Sequence, residues 1–156
     1  MPTDSRREQI IQRICTVLDG ISTPTYWHDI ESKNISRYPK SFDQIKDADE
    51  FPYIEVLTVA PETFSHQTLH HQDKGGLNMV LIMFVQRDEP QELATWVNRL
   101  VKDVIVALLA DVTLNNLCRT LHLVSLITDD GALAHEKNGF AELQIKADYV
   151  FDWTDP

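Results

Sequence analysis

The sequence predicts an α+β fold: a mainly antiparallel five-stranded sheet with an N-terminal helix and one long helix packed on it, in the order α-β-β-β-α-β-β. Three observations carry this. Apolar residues recur at spacings of three and four across residues 10–21 and again across residues 93–109, the period of a helix with one buried face. The strand-like runs are grouped rather than alternating with helices, so no βαβ unit repeats. The last run, residues 140–151, alternates cleanly. Leu143, Ile145, Ala147 and Tyr149 face one way, and Glu142, Gln144, Lys146 and Asp148 the other, as in an antiparallel sheet with one wet face.

The first helix is expected over Arg6–Asp19. Ser5 and Glu8 have capping-box spacing, with the serine hydroxyl accepting an amide of the first turn and the glutamate reaching back. Ile10, Ile11, Ile14, Val17, Leu18 and Ile21 form its stripe, and Gly20 stops it. A first strand is expected near residues 26–32, from their aromatic and β-branched content. Residues 33–50 are polar and read as a loop. A second strand over residues 51–59 and a third over residues 77–86 are apolar on both faces, which predicts central positions with a layer above and below. Between them, residues 63–76 are polar, rich in histidine and end in Gly75-Gly76, the pattern of a long hairpin tip.

Asp88 is expected to cap the main helix, with Pro90 in the first turn, where a missing N–H leaves nothing unsatisfied. Leu93, Trp96, Val97, Leu100, Val101, Val104, Ile105, Leu108 and Leu109 make its stripe; Asn98, Arg99, Lys102 and Asp103 lie away from it. A turn at residues 113–116, a fourth strand at 121–127, a loop through Asn138-Gly139 and a fifth strand at 140–151 complete one domain, residues 1–156. Its ordered core is about 5–151, and residues 152–156 form a loose tail.

Composition narrows the function classes. The chain has 156 residues, 43% hydrophobic and 24% charged, with a formal net charge of −10. Affinity for nucleic acid rests on Lys and Arg neutralising phosphates, so this balance argues against general DNA or RNA binding. Cys15 and Cys118 form neither a disulfide framework nor a zinc pattern. They read as small buried hydrophobes in a reducing compartment. No run of 18 apolar residues suggests a membrane span, and the polar first residues do not read as a signal peptide.

No nucleophile elbow, phosphate loop, His-Glu-x-x-His or Cys-x-x-Cys is present, so neither an enzyme nor a cofactor is expected. His66, His70, His71 and Asp73 are residue types that bind zinc or nickel. Adjacent histidines on a strand point apart, however, and the stretch reads as a solvated or interface loop. Asp129, Asp130 and Glu136 lack the ligand spacing of a calcium loop.

The order of elements, with several of its stretches, resembles the tail terminator (tail completion) proteins of long-tailed bacteriophages across nearly the whole length. The long helix runs into Ala110-Asp111-Val112-Thr113-Leu114-Asn115-Asn116-Leu117. The family has an Asp-x-Thr-Leu-Gly-Gly-Leu type turn there, and Asn115-Asn116 stand in place of its glycines. The strand Leu121-His122-Leu123-Val124-Ser125-Leu126-Ile127, the acidic turn Thr128-Asp129-Asp130-Gly131 and a last strand follow. Phe51-Pro52-Tyr53-Ile54-Glu55-Val56 is similar to the family's Phe-Pro-x-Ile-x-Val strand.

The resemblance implies a virion protein, assembled in the host cytoplasm. It implies a ring of identical copies, a hexamer, that caps the head-proximal end of the tail tube, ends tube polymerisation and presents a joining surface to the head. The partners implied are the chain itself, the tail tube protein and a head-completion or neck protein, with DNA passing through the ring but no sequence-specific or membrane binding. A neck or connector ring is the alternative, and a small ligand-binding domain the second. A ring joins two different patches of each copy. The polar excursions available are the hairpin tip and the loop at residues 131–139. The candidate contacts are therefore Phe64, His66, Leu69, His70, His71, Lys74, Asp129, Asp130 and His135, with Trp153 of the tail as an anchor.

Overall fold

The computed structural model describes residues 4–40, 44–45, 51–59, 61–67, 72–129 and 137–152. Helix α1 is Arg6–Asp19, as the sequence predicts. The Ser5 hydroxyl accepts the Glu8 amide at 3.3 Å, satisfying one orphan donor of the first turn. The reciprocal half of the box is not made. The Glu8 carboxylate instead takes both guanidinium nitrogens of Arg37, at 2.5 and 2.9 Å. Ile10, Ile11, Ile14 and Leu18 are buried.

Among the described residues the sheet has six strands rather than five: β1 (Ile35–Ser36), β2 (Tyr53–Thr58), β3 (Thr63–Gln67), β4 (Gln72–Gln86), β5 (Thr120–Asp129) and β6 (Asn138–Asp152). The order is β1-β2-β4-β6-β5, with β3 also paired to β4. All pairs are antiparallel except β1 with β2.

Residues 26–32 form no strand, because their amides are engaged elsewhere. Those of Trp27 and His28 go to the Asp103 carboxylate, and that of Ile30 to the Ile21 carbonyl. The residues read as a hairpin tip contain strand. Thr63 to Gln67 pair with Gly76 to Gln72. Gly75 and Gly76 are strand residues at close crossings, not turn residues. A Cβ at Gly75 would lie 2.6 Å from the Tyr149 ring, and one at Gly76 2.6 Å from the Lys146 Cε.

Helix α2 is Pro90–Ala110. Its cap residue is Glu89, not Asp88; the Asp88 carboxylate accepts from Lys137 Nζ at 2.7 Å. Both helices cover one face of the sheet. There Ile54, Leu81, Leu143 and Ile145 meet Leu93, Val97, Leu100 and Val104 in the main core. The second layer predicted for the central strands is partial. Ile45, Tyr53 and Phe84 form a small cluster at one end of the opposite face, with Phe51, Ile82 and Phe140 against it. Over the rest of that face, Glu142, Gln144, Lys146 and Asp148 stand half-exposed.

After α2 the chain turns through Leu114, Asn115 and Asn116, at φ 48°, 57° and 65°. No helix among the described residues is long and apolar enough to cross a membrane.

Candidate assembly surface

Strand β5 lies at the edge of the sheet. It reads Thr-Leu-His-Leu-Val-Ser-Leu-Ile-Thr-Asp, an apolar run typical of a buried strand. Yet Leu123, Val124, Leu126 and Ile127 are all exposed, Val124 at 58% and Ile127 at 55%. The registers explain why. Leu121, Leu123 and Leu126 stand beside Ala147, Ile145 and Leu143 on the helix-covered face, and Ile127 stands beside Glu142 on the open face. Helix α2 seals Leu121, whose exposure is 4%, but does not reach across Leu123 and Leu126. A bulge between Leu123 and Ser125 shifts the register midway. Val106, Leu109 and Val112, on α2 and just after it, are also exposed. Single exposed hydrophobes are ordinary, but a row of them on a long edge that pairs with no further strand among the described residues is the pattern of a candidate interaction site.

The residues singled out from sequence divide between the two ends of the sheet. Phe64 lies on β3, 57% exposed. His66 pairs with Asp73, and Lys74 is half-buried opposite Ser65. Asp129 closes β5 opposite Phe140. Phe64 is level with Tyr149 through Gly75. It therefore stands nine residues from the Asp129 level along β6, roughly 30 Å at ~3.3 Å per residue. Leu69, His70, His71, Asp130, His135 and Trp153 lie outside the described residues. Among the described residues, no group of three or more His, Cys, Asp or Glu is placed to hold a metal.

A second feature joins residues far apart in the chain. Asp103, expected on the outer face of α2, is buried. Its Oδ2 accepts from the amides of Trp27 and His28 and from His28 Nδ1, at 2.9, 3.1 and 2.8 Å. Burial holds the imidazole below its ordinary pKa, against the upward pull of Asp103. The ring is therefore neutral near pH 7, with its proton on Nδ1 and a lone pair on Nε2. Trp96 packs edge-on against His28 at 5.0 Å, and the Arg87 guanidinium stacks 3.7 Å above the Trp96 ring. His28 borders a cleft of about 410 Å³ that Phe51, Arg87, Glu89 and Glu92 also line. The pair has the geometry of a base and its orienting carboxylate. Among the described residues, no serine, threonine or cysteine lines the cleft. The contacts of Asp103 instead pin the 21–30 segment to α2.

At the far end of α2, Asp111 ties three segments together. Its Oδ1 accepts the Asn115 amide at 2.8 Å, and its Oδ2 accepts Arg13 Nε and Nη2 at 3.0 and 2.7 Å. Partial burial would raise its pKa, but these donors outweigh burial and hold the carboxyl below its ordinary range.

Sequence reasoning missed the exposed edge of β5 and the His28–Asp103 contact. The first had a signal, an apolar run flanked by polar loops, but a strand's place in a sheet is not written in the strand. The second joins residues 75 positions apart and had none.

No match is found among curated proteins. A family model described as bacteriophage tail tube terminator protein matches residues 3–153, which takes in both helices and all six strands. The chain belongs to the family of bacteriophage tail tube terminator proteins.

Proposed function

We propose that the chain is a structural, non-catalytic virion subunit. Copies of it assemble as a ring, a hexamer, on the head-proximal end of the tail tube. The ring ends tube polymerisation and presents a surface for joining the head. The observation that supports this reading is the long, apolar edge of β5, unpaired among the described residues, in a chain of the terminator family. A protein that stops a polymer must bind its end and cover the surface onto which the next tube subunit would add.

The acidity suits the role. A six-membered ring would carry six times the formal charge of −10, and an acidic lumen does not grip the phosphates of DNA sliding through it. Reversal of lumen carboxylates to lysine is expected to slow genome passage while leaving assembly intact. Normal infectivity of such a variant would refute that point.

Size exclusion with light scattering tests the main reading, on the protein alone and with purified tail tubes. A ring-sized species, or a monomer that binds tube ends and blocks further growth, is expected. A chain that ignores tubes but binds filled heads would instead identify a neck component.

A further inference from the structure

The ring reading leaves open how one copy meets the next, and the inference here rests on that reading. Among the described residues the sheet has a second bare edge. On the side of β4 away from β6, β3 pairs only with β4. We infer that adjacent copies join edge to edge, β5 of one against β3 of the next, so that their sheets continue into each other across the seam.

Four observations converge. The first is charge. Soluble proteins guard sheet edges with charged residues, proline or short strands. Here β3 reads Thr-Phe-Ser-His-Gln, and β5 carries one carboxylate, at its last position. This is in a chain with 24 acidic residues, so uncharged edges spare the seam the repulsion that net charge imposes elsewhere.

The second is direction. Strand β3 is antiparallel to β4, β4 to β6, and β6 to β5. Strand β5 therefore runs opposite to β3. Copies around a ring share one sense, so the seam is an antiparallel ladder, whose bonds run straight across.

The third is facing. Phe64 is in register with Gly75, and Gly75 with Tyr149, on the helix-covered face. Leu123 and Leu126 lie on that same face. Joining the sheets sets the exposed phenyl ring of one copy along the exposed leucines of the next, as a cross-strand apolar group.

The fourth is stagger. Ser65, mid-way along β3, stands level with Val150, and the middle of β5 stands level with Gln144. Matching them slides each copy six residues, about 20 Å, over a four-strand width of about 19 Å. The resulting strand tilt of about 45° is close to the ~35–45° at which sheets close on themselves.

The experiment places one cysteine on each edge. Ser65→Cys is combined in turn with Thr120→Cys, His122→Cys, Ser125→Cys or Ile127→Cys, all on the open face of the sheet. Within one copy the two edges are three strand spacings apart, about 14 Å, and a disulfide needs Cα atoms within about 7 Å. Any bond between the two introduced cysteines therefore links two copies. The double variants are loaded on tail tubes, oxidised mildly and run on a non-reducing gel. Unsubstituted protein and Ser65→Cys with Thr95→Cys serve as controls.

A ladder of multimers from at least one edge pair, absent from both controls, is the expected result. Rings on the tubes with no ladder from any of the four pairs would overturn the seam and leave the ring standing. No ring at all, with the unsubstituted chain, would remove both. A second measurement is independent of cysteine chemistry. Phe64→Asp and Leu126→Asp, each checked for native circular dichroism, are expected to lower tube-end occupancy about tenfold or more, the equivalent of ~1.4 kcal/mol. Unchanged occupancy in both would also overturn the seam.

Discussion

Leu114, Asn115 and Asn116 follow one another with positive φ, a backbone region that costs most residues about 1–2 kcal/mol and asparagine less. The asparagines standing where the family resemblance places glycines are explained by this geometry, and the sequence alone identified the tolerance they share. Asn116→Val is expected to cost about 1–2 kcal/mol, and Asn116→Gly to stay within ~0.5 kcal/mol, both read by urea denaturation. Leu114 was not legible in this way. It takes the same backbone region because its side chain is fully buried. Burial also governs two titratable groups. It pushes the Cys118 thiol up to about 11, so a thiol reagent at pH 8 is expected to leave Cys118 unlabelled until the chain unfolds. It holds His28 below 6.5. As pH falls through 6.5 the unfolded chain takes up a proton that the folded chain refuses, and stability is lost; above that range the contribution is fully present. The stability difference between the unsubstituted chain and His28→Gln is therefore expected to shrink from pH 7 to pH 5. A difference that stays constant would mean that His28 keeps its ordinary pKa.

At the scale of elements, legibility followed the range of the interactions. Helix α1 and the alternation of β6 are local patterns, and the structure has them where the sequence puts them. Strand β1 is two residues long, and β3 exists because it pairs with the first part of β4; neither pairing leaves a local trace. Residues 26–32 show the converse, strand-like in composition but held by a carboxylate 75 residues away. The same limit applied to the candidate contacts. Phe64 was singled out with the polar excursion that contains it, whereas Leu123, Val124, Leu126 and Ile127 sit in a run that reads as core. Mutation separates the two kinds of apolar strand residue. Leu143→Ala, within the core, is expected to cost ~2–5 kcal/mol. Ile127→Lys, on the edge, should change monomer stability by no more than ~0.5 kcal/mol. A large loss for Ile127→Lys in urea denaturation would show that β5 is covered in the free chain.

At the scale of the whole molecule, net charge and bare edges oppose each other. Carboxylates outnumber basic groups by ten, so copies approaching through solution repel over roughly the ~8–10 Å Debye length of physiological salt. Occupancy of tube ends is therefore expected to rise between 0.05 and 0.3 M salt, in light-scattering titrations. A fall would mean that attraction between opposite charges holds the ring.

The bulge in β5 bears on what happens when that repulsion is removed. A head-to-tail contact closes into a ring only if its rotation is right; otherwise it runs on as an open thread. An extra residue in one strand increases local twist and bends the edge, which turns each added copy relative to the last. Deleting Val124 would straighten that edge. Near pH 5, close to the chain's isoelectric point of about 4.9 where the net charge vanishes, the straightened chain would be prone to fibre growth. A single unpaired residue would then separate a cap of fixed size from a filament without end.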